Sequence, residues 1–172
     1  MLNVNAKLAE QMQIVPAIMP VDLNDGANNG DWVSLKNFER CTVVVVASAG
    51  TAANDLTVTL NQATAVAGTG TKALSVIDSV ATKQGAALSA IAAWTEVTQT
   101  AAATYTNGTN GEEQLLYAID VLAEQLDVAN GFDCLQCSIA QVGAAKIGCA
   151  LYLLWPTTYG GPVGKVPGAI AD

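Results

Sequence analysis

Residues 147–155 (IGCALYLLW) constrain the fold more than any other stretch of the chain. Ile147, Cys149, Leu151, Leu153 and Trp155 fall on alternate positions, the period of a strand that buries one face. Gly148, Ala150, Tyr152 and Leu154 make the other face, which is also largely apolar, so the segment reads as a central strand covered on both sides. Upstream, Leu135, Cys137 and Ile139 alternate against Phe132, Cys134, Gln136 and Ser138, the pattern of a half-buried strand. With Val142-Gly143-Ala144-Ala145 as a short connection, residues 132–155 are expected to form one antiparallel hairpin around which the rest assembles.

Other segments carry the same period. Residues 41–49 (CTVVVVASA) hold four consecutive valines, whose β-branching suits a strand buried on both faces. Residues 56–60 (LTVTL) put leucine and valine inward and threonine outward. Residues 14–21 (IVPAIMPV) are apolar, but Pro16 and Pro20 have no N–H to give a ladder, which places them at an edge or against another subunit. A turn cluster over 24–31 is followed by an expected half-buried strand over 32–38. Two moderate strands are expected over 73–82 and 87–97, with a helix open as an alternative for 86–94, where Leu88 and Ile91 have helical spacing. Residues 98–111 read as a long Thr/Asn/Gly loop. Residues 112–126 support both periods: Leu115, Ile119, Leu122 and Leu126 suit a helix, and Tyr117, Ile119 and Val121 a strand. Short strands separated by turns predict an all-β, antiparallel β-sandwich, jelly-roll-like, in one domain spanning 1–172. Its core is expected over 14–159. The N-terminal arm (1–13) and the Gly/Pro-rich C-terminal arm (160–172) are extended and expected to serve association rather than the core.

A chain of 172 residues buries roughly 70% of its unfolded surface and needs no metal or disulfide to fold. Cys134 and Cys137 form a C-x-x-C, yet an offset of three on a strand sends the two thiols to opposite faces, unlike a redox pair at a helix N-terminus. Cys41, Cys134, Cys137 and Cys149 have the count of a zinc site but only one knuckle, and small buried hydrophobes is the better reading. The chain has no histidine, which removes the commonest general base and the usual triads. Gly68-Thr69-Gly70-Thr71-Lys72 lacks the Gly-Lys-Ser/Thr ending of a phosphate loop and reads as a turn. Asp120, Glu124 and Asp127 do not match a calcium loop and read as a solvated face. Asn107-Gly108-Thr109 fits a glycosylation sequon, without consequence where no secretory signal is seen: residues 1–13 carry Lys7 and Glu10 and no apolar core. No catalytic, cofactor-binding or metal-binding residue is assigned, no cofactor is expected, and the chain is not read as an enzyme.

With 15 acidic against 7 basic residues, a net charge of −8 and no Lys/Arg cluster, direct nucleic-acid binding is not expected. The apolar runs fall far short of the ~20 residues of a spanning helix, so no membrane partner is expected either. Only 13% of residues are charged, against roughly 25% in an average domain, which suggests a surface covered by copies of the chain or by a larger assembly.

Three segments together are distinctive: VPAIMPVDLNDGANNGDWVSLKNFERCTVVVV from Val15, LTVTLNQATAVAGTGTKAL from Leu56, and LDVANGFDCLQCSIAQVGAAKIGCALYLLWP from Leu126. They resemble small β-rich structural proteins of tailed bacteriophages, of the kind that decorate or cement an icosahedral head, and the likeness covers most of residues 15–159. The resemblance implies an extended conformation before the final strands, hence strand rather than helix over 115–122. It also implies a virion structural role on the head surface after assembly in the host cytoplasm. The expected partners are the chain itself, in a symmetric homo-oligomer with a trimer favoured, and the major capsid protein. A tail-tube or head-completion subunit is the near alternative. A carbohydrate-binding β-sandwich module is the alternative of another class, with Tyr105 and Tyr159 as its candidate exposed aromatics.

Overall fold

The computed structural model describes residues 5–91, 93–108, 113–156 and 166–170. A one-turn helix, α1 (Leu8–Gln11), leads into β1 (Gln13–Asp22), β2 (Asn28–Asn29), β3 (Val33–Ser34), β4 (Phe38–Ala47), β5 (Thr57–Ala63), β6 (Lys72–Ala73), β7 (Ile77–Gly85), β8 (Thr95–Ala102), β9 (Thr104–Thr106), β10 (Gln114–Leu122), β11 (Cys134–Ile139) and β12 (Ile147–Pro156). One sheet runs β1-β12-β4-β10-β7-β8; the other runs β2-β11-β5-β6, with β3 also on β11 and β9 also on β5. All these pairings are antiparallel.

The pairings nest. β1 pairs with β12, β2 and β3 with β11, β4 with β10, and β5 with β6 and β9, so the chain doubles back on itself as a ribbon whose arms alternate between the two sheets. This is the strand order of a jelly roll, extended at one side by the β7–β8 hairpin. The sequence makes the roll because β4, β5, β10 and β11 carry an apolar residue at every second position. Cys41, Val43, Val45 and Ala47 of β4, then Leu115, Tyr117, Ile119 and Val121 of β10, all point inward and are buried. From the opposite sheet Val58 and Leu60 of β5 and Leu135, Cys137 and Ile139 of β11 meet them.

Several expectations need correction. Residues 132–155 are not a hairpin: β11 and β12 lie in different sheets, each with partners from the first half of the chain, and residues 140–146 cross between the sheets. β12 is central, but its inward face is Gly148, Ala150, Tyr152 and Leu154, while Ile147 is exposed and Cys149, Leu151, Leu153 and Trp155 are half-exposed on the outside. β10 is strand, as the resemblance implied, because β4 and β7 flank it and satisfy its backbone on both sides, which overrides its helical spacing. The segment 32–38 supplies only the two-residue β3 and, at Phe38, the first residue of β4. The strand expected over 87–97 starts only at Thr95 and runs as β8 through Ala102, into the segment expected to be a loop, and 88–90 form a single 3-10 turn. Nor is the C-terminal segment wholly an arm: Ala169 is buried and its carbonyl accepts a 2.7 Å hydrogen bond from the Ser34 N–H. Tyr159 lies outside the described residues.

Tyr152 joins the two sheets. Its hydroxyl accepts from the Cys137 N–H at 2.6 Å and donates to the Asp31 carbonyl at 3.0 Å, in the gap between β2 and β3 where no strand residue serves β11. The chain passes so close there that a Cβ on Gly30 would sit 2.6 Å from the Cys137 carbonyl oxygen. Replacing Tyr152 with Phe strands a buried N–H and is expected to lower stability by about 1–3 kcal/mol in urea denaturation. Truncation before residue 160 removes the acceptor of the buried Ser34 N–H and is expected to cost a similar ~1–3 kcal/mol, where a purely associative arm would leave the transition unmoved.

Candidate interaction surface

The outward faces of the two sheets have opposite character. On the β2-β11-β5-β6 sheet the outward residues are Thr57, Thr59 and Asn61 of β5, Gln136 and Ser138 of β11, and Thr104 and Thr106 of β9. On the other sheet the register lays out apolar rows instead. Pro16, Leu151, Val44 and Ala118 align across four strands; Cys149, Val46 and Leu116 align beside them; and Ile14 and Leu153 lead to the polar pair Thr42 and Asp120, joined by a hydroxyl-to-carboxylate hydrogen bond. These side chains are half-exposed or exposed. With strands about 4.8 Å apart and residues about 3.3 Å apart, four strands by six residues make a face of roughly 400 Å² in plan. Patches of this size on a single chain are commonly functional.

The four valines of β4 show how the sequence builds this surface. Val43 and Val45 are buried in the core, whereas Val44 and Val46 point outward. The second cover expected for this strand is therefore not provided by the described residues. The β1 edge adds exposed apolar groups in Ile14 and Met19, and Pro16 and Pro20 withhold backbone donors there, with register shifts between Pro16 and Ile18 and between Ile18 and Val21.

The candidate chemical groups are dispersed. Cys41 and Cys137 face each other across the core from different sheets; Cys134 is buried with its thiol 3.2 Å from an Asp133 carboxylate oxygen; Cys149 lies on the outer face of β12. That arrangement splits the C-x-x-C and the four-cysteine set alike. Among the described residues no three His, Cys, Asp or Glu side chains are grouped to hold a metal. Burial pushes the Cys137 thiol up to about 12, and burial first, then the neighbouring Cys137 and Asp120, raises Cys41 well above its ordinary 9.0. Lys72, from the Gly68–Gly70 turn, pairs with Asp127 and lies 3.9 Å from the centre of the Phe132 ring, so the loop is a structural turn. Asp120 sits on the outer face of β10 and Asp127 at the turn before β11, so they form no shared site. Tyr105 is buried, its ring edge-on to Tyr117 at 5.3 Å, and is not an exposed stacking platform. Among the described residues no helix is long and apolar enough to cross a membrane.

No family model and no curated protein matches the chain. Among solved structures, the SPBc2 prophage-derived protein YomS is similar at a TM-score of 0.42 and 9% identity, over 83% of this chain and 92% of that one.

The thiol geometry sets an order of reactivity. In the native protein Cys149 is expected to react with a maleimide well before Cys41, Cys134 and Cys137, which become accessible on unfolding; peptide mapping after brief labelling reads the order. The raised pKa values also fix a pH window. A thiol held protonated in the fold but ionising at about 9 when unfolded contributes its full stability below pH 9 and loses it as pH rises toward 12. On the acid side, hydrogen bonds from the Lys146 and Asn24 backbone lower Asp22, and those from Lys72 and Asn130 lower Asp127, so their contribution is present above pH 3.8 and fades below it. Denaturation midpoints are expected to hold between these limits and fall beyond each.

Proposed function

We propose that this protein is a virion structural subunit of a tailed bacteriophage, specifically a decoration or cement protein that binds the assembled head through several protein contacts. The observation that carries the reading is the apolar outer face of the β1-β12-β4-β10 strands, which has no cover within the described chain. It is paired with a polar, threonine-rich face on the other side. A subunit so built puts one face against its own copies or a shell and the other toward water. The sequence resemblance over residues 15–159 supports the same assignment, and the net charge of −8 disfavours direct contact with packaged nucleic acid. The partners proposed are further copies of the chain, as a trimer suited to three-fold positions of a shell, and the major capsid protein, on the outer surface of the head. Specific interfaces usually bury ~1,200–2,000 Å² in total, so the apolar face is the centre of such a contact, and multivalency across neighbours supplies the rest. The chemistry proposed for it is association, not catalysis.

The test is addition of the purified protein to undecorated heads, with copy number read by sedimentation and microscopy and particle stability by melting. Binding only the assembled state raises its melting temperature. Leu151→Glu places a charge at the middle of the apolar rows while leaving the inward face of β12 intact. It is expected to convert the oligomer to monomer and weaken head binding at least about tenfold, one 1.4 kcal/mol step, with the monomer's own far-UV spectrum unchanged. Retained assembly in that variant, or binding along tails alone, overturns the cement assignment; the latter outcome favours the tail-tube or head-completion subunit.

A further inference from the structure

The β7–β8 hairpin lies outside the nested roll, and its outer strand, β8, ends the sheet. Most of that strand is exposed: only Val97, Gln99 and Ala102 are half-buried, and of these Val97 packs against the core. One side holds it in place. The Thr82 hydroxyl donates to the Thr95 carbonyl at 3.1 Å, the Ser79 hydroxyl to the Glu96 carboxylate at 2.6 Å, and the Gln99 amide to the Ile77 and Thr104 carbonyls at 2.9 and 2.8 Å. Along the other side no described residue hydrogen-bonds to its backbone, so alternate residues present both N–H and C=O beyond the sheet. Burial of one valine offsets little of the entropy lost in ordering eight residues. The other sheet ends are guarded. β1 has Pro16, Pro20 and two register shifts, and its Ala17 carbonyl is taken by the Asp31 N–H at 3.0 Å; β2 and β6 are two residues long. β8 has no proline and no lysine, and Glu96 is its one charge.

We infer that β8 pairs edge to edge with β8 of a second copy, antiparallel about a two-fold axis, so that two six-stranded sheets run on as one. This contact is separate from the apolar rows. The strand suits itself as a partner. Directly opposed residues share a face of the pleat, so the axis passes through Thr98 or Gln99, at the middle of the strand. Thr98 then meets Thr98 or Thr100 of the other copy, a favourable cross-strand pair. Glu96 stands across from the neutral Thr100 or Ala102, at least about 13 Å from its own counterpart and beyond the ~8 Å screening length at physiological salt. A foreign strand would have to be selected by charge, of which β8 offers a single glutamate. Pairing closes after two copies, because the guarded β1 edge stops a fibre from growing. An eight-residue strip falls short of the ~1,200 Å² of a stable interface, so the contact is weak between free subunits and operates between copies that an assembly already holds close. On the cement reading it joins trimers on adjacent three-fold positions, but the pairing itself does not rest on that reading.

The experiment introduces single cysteines by Glu96→Cys, Thr98→Cys and Thr100→Cys into full-length protein carrying Cys149→Ser, the other three thiols being buried. Ala129→Cys, in the exposed turn before β11, is the control. Proteins at about 1 mM, alone and in pairwise mixtures, are oxidised with oxidised glutathione, and disulfide dimers are counted by mass spectrometry. Opposed residues of an antiparallel pair lie ~4.5–5.5 Å apart between Cα atoms, within disulfide reach. An axis at Thr98 gives a Thr98→Cys homodimer and a mixed dimer of Glu96→Cys with Thr100→Cys; an axis at Gln99 gives a mixed dimer of Thr98→Cys with Thr100→Cys. One of these patterns is expected at a yield at least about tenfold above the control. The pairing is overturned if no combination exceeds Ala129→Cys, or if Glu96→Cys couples best to itself. Dilution of the Leu151→Glu protein, followed by ¹H–¹⁵N NMR, is expected to move the amides of 95–102 with a Kd near 1 mM, and Thr98→Lys to abolish that movement. Amides of 95–102 that do not move up to several millimolar also overturn it. The cross-linking pattern is expected to survive Leu151→Glu, so failure of the apolar face and failure of the edge are read separately.

Discussion

The antiparallel pairing of β1 with β12 is the contact on which the architecture rests. It brings residues 13–22 against 147–156, and the inner pairs of the ribbon nest within it. β12 thereby gains partners on both sides, β1 and β4, and its backbone becomes the centre of one half of the sheet. From that fixed position Tyr152 reaches the other sheet and supplies the backbone partner that the interrupted β2–β3 edge does not. Because the closing pair is the most distant in sequence, its loop-closure entropy is the largest, which places the fold among the slower topologies.

How much of this was legible in the sequence depended on what stood between the apolar positions. In Leu56–Leu60 threonine alternates with leucine and valine, so period and facing were both readable, and the structure buries Leu56, Val58 and Leu60. In β12 both faces are apolar. The larger residues, Ile147, Leu151 and Leu153, were read as a core face, but the inward positions hold Gly148 and Ala150 because a neighbouring core residue occupies the space: a Cβ on Gly148 would meet Leu23 at 2.6 Å. Side-chain size reports the room available, not the direction of the core. The apparent hairpin failed for a related reason, since two adjacent strands with apolar faces toward one core look alike whether they lie side by side or across from each other. Only the start of β8, residues 95–97, falls within an expected strand, because a mostly exposed edge strand, TEVTQTAA, has almost no apolar alternation to show.

The two outer faces differ in character. Strands β4, β10 and β12 combine an inward apolar row with an outward one, which a two-layer sandwich has no internal use for, whereas β5 and β11 finish in hydroxyls and amides. The same sheet changes character along its width. Apolar rows occupy the β1 side, and at the β7–β8 side the outward positions turn to Ser79, Lys83, Glu96 and Thr98.

The place of β12 in the chain has a consequence for synthesis. A ribosome releases the nascent polypeptide from its beginning, and β12, which completes the roll, emerges after the eleven strands before it. Until it does, β1 has no neighbour and the valine run of β4 lacks one flank. The outward apolar rows are incomplete for the same reason, since Cys149, Leu151 and Leu153 belong to that strand. A chain stopped before this strand thus lacks the closed roll and the completed outer rows together.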